Sequence, residues 1–199
     1  MIGDEPLPNY DFAPLAEGVN CGGFRCSNGE INRWFSREAL RDHTRGANHV
    51  TCATVEGAPN RPIGLYAIST VAEEVRNLPG SYHRFRGGDY FSAMQLVWLA
   101  TDRQFEGRGL GTLMVGQVIR LFADIGPKIR LPHLIVIPAR EDHDRLSRFY
   151  AGLGFTPYKD GEAMFLSVQD AVDAVRIQEG EIAAAAVPPP DPSAPQPEA

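Results

Sequence analysis

The segment with the clearest chemical signature runs from Arg103 to Val118, RQFEGRGLGTLMVGQV, with glycines at the alternate positions 107, 109 and 111. Glycines at this density leave one side of the backbone bare, so a ligand can approach the main chain closely. A strand is predicted to end at Asp102 and a helix to begin near Gly109. Unpaired N–H groups at the positive end of that helix favour an anion.

The spacing of the glycines narrows the kind of anion. A dinucleotide fingerprint, G-x-G-x-x-G, would need a third glycine where Met114 stands, and a nucleotide P-loop would need a lysine where Gln117 stands. The segment EGRGLG therefore fits neither motif. A tight turn with close helix packing is the structural alternative, and it would account for one or two of the glycines.

The elements that must position this loop alternate between strands and helices. Strands are predicted for NYDFAPLA, HVTCATVEG, PIGLYAISTVAEEV, SAMQLVWLATD, HLIVI and GEAMFLSV. Both faces of SAMQLVWLATD are apolar, which favours a central strand. Helices are predicted for NGEINRWFSREALRDHTRG, for the run from Gly109 to Ile125 and for HDRLSRFYAGL. This order predicts a mixed α/β sheet.

Two of these helices carry further signals. In the first, Asn28 is the predicted N-cap and Gly46 the predicted stop. The helix after the glycine loop has a predicted apolar stripe formed by Leu110, Leu113, Met114, Val118, Leu121, Phe122 and Ile125.

Length and composition limit the class of protein. A chain of 199 residues suits one domain, and we assign it to residues 1–172. Residues 173–199 form an acidic tail rich in proline and alanine that we expect to be disordered. No apolar run is long enough for a membrane span and no secretory signal is recognised, so we expect a cytoplasmic protein with no membrane partner.

The net charge of −6 argues mildly against a nucleic-acid partner, but the residues from Asp173 onward contribute −4 of it. Three cysteines, Cys21, Cys26 and Cys52, favour free thiols over a disulfide framework. Cys21 and Cys26 could form half of a metal site, but the chain has no second pair, so no metal site is predicted.

The segment EGRGLG resembles the diphosphate-binding motif of the GNAT superfamily of N-acetyltransferases, Q/R-x-x-G-x-G/A. Gly109, Leu110 and Gly111 meet its last three positions, and Glu106 stands where the motif has glutamine or arginine. Within the superfamily the chain is most similar to toxins that acetylate the α-amine of aminoacyl-tRNA. The similar stretches are FRCSNGEINRWF, LATDRQFEGRGLG and SRFYAGLGF, and the resemblance covers roughly residues 24–166.

The resemblance implies a GNAT fold with a mixed, mostly antiparallel sheet flanked by helices, and acetyl-CoA as the cosubstrate. It implies that the pantetheine arm pairs with the end of the strand and that the diphosphate lies over the glycine loop. The residues so implied in cofactor binding are Leu99, Ala100, Thr101, Glu106, Gly107, Arg108, Gly109, Leu110, Gly111 and Thr112. Main-chain N–H groups near Leu99 and Ala100 would polarise the thioester carbonyl.

Attack of an amine on a thioester needs a neutral nucleophile and an acid for the departing thiolate. Tyr150 matches the tyrosine of the family's helix and is the implied acid, with a core tyrosine as the structural alternative. The strand SAMQLVWLA contains no Glu, Asp or His to act as base. An α-amine, with a pKa of about 7.7 to 8.0, needs such help less than a lysine side chain. Glu73, Glu74, His83 or a water molecule remain candidate bases.

Four arginines recur at intervals of four residues and would form one slowly drifting stripe on a helix. Such a stripe could contact a tRNA backbone, or it could be a solvated face balanced by Glu30, Glu38 and Asp42. With two further candidates, the residues considered for tRNA are Arg33, Arg37, Arg41, Arg45, Arg84 and Arg86.

Three functions follow as hypotheses. The first is an acetyl-CoA-dependent N-acetyltransferase acting on the α-amine of charged tRNA and thereby inhibiting translation, with a small DNA-binding antitoxin as the implied partner. The second is a GNAT enzyme that acetylates a small-molecule amine or a protein N-terminus. The third is a non-catalytic acyl-CoA-binding module. A homodimer is an alternative that the sequence leaves open.

Overall fold

The computed structural model describes residues 9–74 and 90–185, and these form a seven-stranded sheet of order β1-β2-β3-β4-β5-β7-β6. The strands are β1 (Tyr10–Pro14), β2 (His49–Val55), β3 (Gly64–Glu74), β4 (Tyr90–Thr101), β5 (His133–Val136), β6 (Thr156–Tyr158) and β7 (Ala163–Ser167). Of the pairings between these strands only that of β4 with β5 is parallel. The predicted mixed, mostly antiparallel sheet with a central β4 is confirmed.

Helices cover both faces of this sheet. They are α1 (Gly29–Arg37), α2 (Ala39–Thr44), α3 (Leu110–Ile129), α4 (His143–Ala151) and α5 (Val168–Ala185). α1 and α2 pack on one face through Ile31, Trp34, Phe35 and Ala39. On the other face most of the buried residues that helices contribute come from α3, with contributions from α4 and α5. In the described part of the chain, no helix is long and apolar enough to cross a bilayer.

The helix predicted to run from Asn28 towards Gly46 is two helices. Asn28 is the N-cap as predicted, because its side chain accepts from the N–H groups of Glu30 and Ile31. The helix breaks at Glu38, whose φ of −126° is not helical. Across the break, Trp34 Nε1 donates a hydrogen bond to Asp42 Oδ2 at 2.9 Å and ties α2 to α1.

The chain beyond β7 differs from the sequence prediction. The predicted boundary after residue 172 falls inside α5, which continues to Ala185, so the first part of the predicted tail is helical. Ala171 is fully buried and Val168 and Val175 pack on the same core, which explains how a mostly exposed helix is held. The remaining tail, residues 186–199, lies outside the described residues. The short strand β6 was also not predicted.

The helix after the glycine loop ends four residues later than predicted and continues through Pro127. Leu113 was assigned to its apolar stripe, and this is wrong: the residue is 43% exposed. Val115 and Ile119 are buried instead. Near the end of α3, Gly126 lies where α3 meets the start of α5. A Cβ there would lie 2.9 Å from Cγ2 of Val168 and 3.1 Å from Cε2 of Phe122.

We expect Gly126→Ala to lower the free energy of unfolding by about 1 to 3 kcal/mol, because the added methyl group overpacks this contact. Gly116→Ala, on the same helix with open space around it, is the matched control and should raise the free energy of unfolding by about 0.5 to 1 kcal/mol through helix propensity. Urea denaturation of both variants measures the difference. Equal stability of the two would contradict the packing described.

Candidate functional site

The site is organised by the divergence of two neighbouring strands. β4 and β5 pair only from Met94 to Leu96, whereas β4 continues to Thr101 alongside β3. No described strand pairs with the β5 side of β4 beyond Leu96. The end of β4 therefore has a free edge, and an extended ligand could complete it with backbone hydrogen bonds.

A β-bulge marks the point of divergence. Ala67 of β3 is opposite Trp98 and Ile68 is opposite Leu96, so Val97 has no register partner on β3. Because β4 has one extra residue here, each side chain after the bulge lies on the opposite face of the sheet from the one that strict alternation would give. Trp98 and Ala100 consequently pack on the α1 side, while Leu99 packs on the α3 side.

The glycine loop connects the free edge to α3. Gly107 and Gly109 have φ of +75° and +78°, which glycine adopts without a steric cost. Turn geometry thus accounts for two of the three glycines. At Gly111 an added Cβ would lie 3.8 Å from Cζ of Phe149, across the gap between α3 and α4. Any larger side chain at this position would narrow that gap.

A cleft of about 660 Å³ lies between the strand end, the glycine loop, the start of α1 and α4. Eight of the ten residues implied in cofactor binding line it: Leu99, Ala100, Thr101, Glu106, Gly107, Gly109, Gly111 and Thr112. The other two do not. Leu110 is buried in the core, and Arg108 lies over the ring of Phe105 with its guanidinium carbon 5.3 Å from the centroid.

α4 contributes one face to the cleft. Its lining residues are Asp142, just before the helix, and Arg145, Leu146 and Phe149. Their spacing of three, four and seven residues places them on one side of a helix. Arg145 Nη2 forms an ion pair with Asp142 Oδ2 at 2.7 Å.

Tyr150 lies behind this wall and is not one of the residues that line the cleft. It is 6% exposed, and its ring contacts those of Phe149 and Phe155, with centroids 5.1 and 5.6 Å away. Burial raises its pKa to about 12, so the hydroxyl is protonated at neutral pH. The hydroxyl of Tyr150 can therefore donate a hydrogen bond or a proton, and the preceding residue, Phe149, lines the cleft.

The thiol of Cys26 lines the opposite side of the cleft. Its Sγ donates to the carbonyl oxygen of Asn28 at 3.3 Å. Burial raises its pKa, with a smaller contribution from Glu106, so the thiol is neutral and a poor nucleophile. All three cysteines are free.

Asp102 joins the two sides of the cleft. Its Oδ2 accepts from the N–H of Arg25 at 2.9 Å and its Oδ1 accepts from the N–H of Gln104 at 3.0 Å. The N–H of Arg103 donates in turn to the carbonyl of Arg25 at 2.8 Å. The segment before α1 is thereby held against the start of the glycine loop.

Two of the candidate bases are wrongly placed for this cleft. Glu73 is opposite Phe91, near the start of β4. Phe91 is separated from the bulge at Val97 by about 20 Å of strand, at about 3.4 Å per residue. Its Oε1 is also paired with Lys159 Nζ at 2.7 Å. Glu74 lies one residue further away. His83 is outside the described residues.

The four arginines do not form the single stripe that was predicted, because the helix breaks at Glu38. Arg33 and Arg37 lie on α1 and line an open groove with Arg25, and neither has an acidic partner among the described residues. Arg41, on α2, pairs with Glu38 and Asp42 at 3.2 Å each. Arg45 follows the end of α2. Arg84 and Arg86 lie outside the described residues.

Sequence reasoning missed three parts of the cleft: the bulge at Val97, the segment around Cys26 and Asn28, and the face of α4. The helical spacing of Asp142, Arg145, Leu146 and Phe149 could have identified the last of these. The bulge has no signal in the sequence, since the chain carries neither glycine nor proline there.

Comparison with known proteins gives a consistent result. No family model matches the chain. A tRNA-acetylating toxin of Mycobacterium tuberculosis is 28% identical over 147 residues, which covers 71% of this chain and 81% of that protein. The resemblance to toxins of this kind is confirmed.

Solved structures agree in fold. AtaT complexed with acetyl-methionyl-tRNAfMet has a TM-score of 0.75 and 18% identity, covering 86% of this chain and 99% of that one. A tyrosine-to-phenylalanine mutant of AtaT, bound to the C-terminus of the antitoxin AtaR and acetyl-CoA, has a TM-score of 0.69 and 17% identity over 83% and 98%. The chain has the GNAT fold.

We expect Asp102→Ala to lower the free energy of unfolding by about 1 to 2 kcal/mol, because two backbone N–H groups lose their acceptor. Asp102→Asn keeps one acceptor oxygen, so its free energy of unfolding should lie between those of the wild type and the alanine variant. Asp11→Ala, at an exposed position of β1, is the control. Urea denaturation measures all three, and equal stability of Asp102→Ala and Asp11→Ala would contradict the role given to Asp102.

Proposed function

We propose that this protein is an acetyl-CoA-dependent N-acetyltransferase whose acceptor is the α-amine of an aminoacyl-tRNA, and that it acts as a translation-inhibiting toxin. The observation that carries the proposal is the free edge of β4, opened by its divergence from β5 and leading directly into the glycine loop at the start of α3. The relatives and neighbours in the comparisons include a tRNA-acetylating toxin and a toxin bound to acetyl-CoA.

Acetyl-CoA suits the cleft in shape and in hydrogen bonding. The pantetheine arm is extended and amide-rich, so it can pair with Leu99 to Thr101 as an additional strand would. The diphosphate can accept from the N–H groups of the glycine loop and the first turn of α3, where the helix dipole also favours negative charge. Glu106 is exposed and can turn its carboxylate towards water.

The transfer needs few side chains. The neutral amine attacks the thioester carbonyl carbon, and the oxyanion that forms accepts from main-chain N–H groups between Val97 and Ala100. The carbon–sulfur bond then breaks, the amine loses its extra proton to water, and the thiolate is capped by the hydroxyl of Tyr150. A hydroxyl with a pKa of about 12 is a weak acid, so it serves mainly as a hydrogen-bond donor while the thiolate leaves.

The small number of candidate bases in the described lining of the cleft supports an α-amine as the acceptor. The carboxylates in the described lining of the cleft are Glu106, in the glycine loop, and Asp142, which is paired with Arg145. An amine with a pKa of about 7.7 to 8.0 is partly neutral at physiological pH and can react without a dedicated base. A lysine side chain, with a pKa of about 10.4, would be almost fully charged.

The partners follow from the same proposal. Arg33 and Arg37, which have no acidic partner in the described part of the chain, are the best placed arginines for the tRNA backbone. Because a neighbour was crystallised with the C-terminus of its antitoxin, we infer a small DNA-binding antitoxin for this chain as well.

A second candidate is a GNAT enzyme that acetylates a small amine or a protein N-terminus. The net charge of −6 and the neutralisation of Arg41 by Glu38 and Asp42 favour it, because both weaken attraction to nucleic acid.

The deciding experiment is mass spectrometry of aminoacyl-tRNA after incubation with acetyl-CoA and the protein. We expect a mass increase of one acetyl group on the amino acid, with acetylation by Tyr150→Phe at least about 100-fold slower because the departing thiolate loses its hydrogen-bond donor. Expression of the wild-type protein should arrest growth, and expression of Tyr150→Phe should not.

Tyr158→Phe is the matched control, because Tyr158 is equally buried but lies beside Phe165 at the far end of the sheet. Its activity should equal that of the wild type. Unmodified aminoacyl groups together with thiol release from a free amine would favour the second candidate. Binding of acetyl-CoA without transfer to any amine would leave a non-catalytic module.

The pH dependence is a further test. We expect the initial rate of tRNA acetylation to rise up to about pH 9, as the α-amine loses its proton, and then to stay level up to about pH 10. The plateau follows because a tyrosine whose pKa is raised to about 12 stays protonated throughout this range. A fall in rate between pH 8 and pH 9 would show that a different acid is required.

A further inference from the structure

The charged side chains that line the cleft include more acidic groups than basic ones. Among the described residues of the lining, Glu106 and Asp142 are acidic and Arg145 is the single cation. Coenzyme A carries a diphosphate and a separate phosphate on the ribose 3′-oxygen, so it brings several negative charges into this space. Arg145 is therefore the one charged side chain of the lining that can attract it.

Arg145 is on the wall opposite the glycine loop. Phe149, which faces Gly111 across the gap, lies one helical turn after Arg145 on the same face of α4. Arg145 is thus displaced from the level of Gly111 by about 6 Å along the helix. A long side chain at this distance can reach a group of the ligand beyond the diphosphate.

We propose that Arg145 binds the 3′-phosphate of coenzyme A and gives the protein its preference for coenzyme A over dephospho-coenzyme A. The inference rests on the proposed function, which assigns the diphosphate to the N–H groups of the glycine loop. Because the N–H groups of the glycine loop bind the diphosphate, the 3′-phosphate is the remaining anionic group of coenzyme A that Arg145, on the opposite wall, can bind. A guanidinium suits a phosphate because two of its N–H groups can bind two oxygens at once.

The ion pair of Arg145 with Asp142 does not prevent this role. Both side chains are well exposed, at 65% and 51%, and exposed ion pairs of this kind contribute little to stability. Only Nη2 of Arg145 is engaged with Asp142. The guanidinium has five N–H donors, so it can contact a phosphate while keeping Asp142, which then holds the side chain at the cleft.

The neighbouring arginines are less suitable. Arg108 lies over the ring of Phe105, and Arg148 donates from Nε to the carbonyl oxygen of Asp144 at 3.2 Å. Neither lines the cleft. Arg148 belongs to the same helix as Arg145 and carries the same charge, so Arg148→Gln is the matched control for Arg145→Gln.

The test is isothermal titration calorimetry of the full chain at low salt with two probes, coenzyme A and dephospho-coenzyme A. We expect the wild type to bind coenzyme A at least about tenfold more tightly than dephospho-coenzyme A, because a charge-assisted hydrogen bond to the 3′-phosphate contributes this much to affinity. In Arg145→Gln the affinity for coenzyme A should fall to that for dephospho-coenzyme A, which should itself be unchanged. Arg148→Gln should retain the wild-type preference.

The outcomes separate this inference from the proposed function. Equal affinity of the wild type for both probes would overturn the inference and leave the proposed function intact. If Arg145→Gln loses affinity for both probes to a similar extent, Arg145 binds the diphosphate instead, and the inference is overturned. A wild type that binds neither probe would overturn the proposed function itself. Circular dichroism of both variants checks that they are folded.

Discussion

The structure depends on the end of β4, where one side of the strand has no partner among the described strands of the sheet. β4 is paired with β3 from Tyr90 to Thr101 except at Val97, but with β5 only from Met94 to Leu96, so its last residues have a free edge among the described strands. Backbone N–H and C=O groups need partners, and at this edge they must come from water or from a ligand. The opening between the strands is therefore a consequence of pairing geometry, and the surrounding elements determine which ligand can use it.

Those elements come from distant parts of the sequence. The segment before α1 forms one side of the cleft and is fastened by Asp102 to the glycine loop. α3 supplies the helix N-terminus, and α4 supplies a wall with Arg145 in front and Tyr150 behind. Each contribution is modest alone. Together they match a ligand that is extended at one end and highly anionic at the other.

The sequence predicted those features that local patterns encode. The glycine loop, the apolar strand β4 and the N-cap Asn28 are local signals, and the structure contains all three elements. The bulge at Val97 arises from how β3 and β4 meet, and no residue type marks it. α5 was missed because the helix is stabilised by packing of a few residues, Ala171 with Val168 and Val175, on the core beside α3 rather than by a clear helical periodicity.

The cleft is lined by segments that range from residue 26 to residue 149, so it exists only when the chain is folded. A ligand that binds there therefore stabilises the folded state of the whole chain by mass action. A ligand present at about 100 times its dissociation constant would add about 2.7 kcal/mol to the folded state. That is a sizeable share of the total for a domain of this size. Under the proposed function this ligand is acetyl-CoA, so the lifetime of the protein against proteases in a cell would rise and fall with the supply of acetyl-CoA.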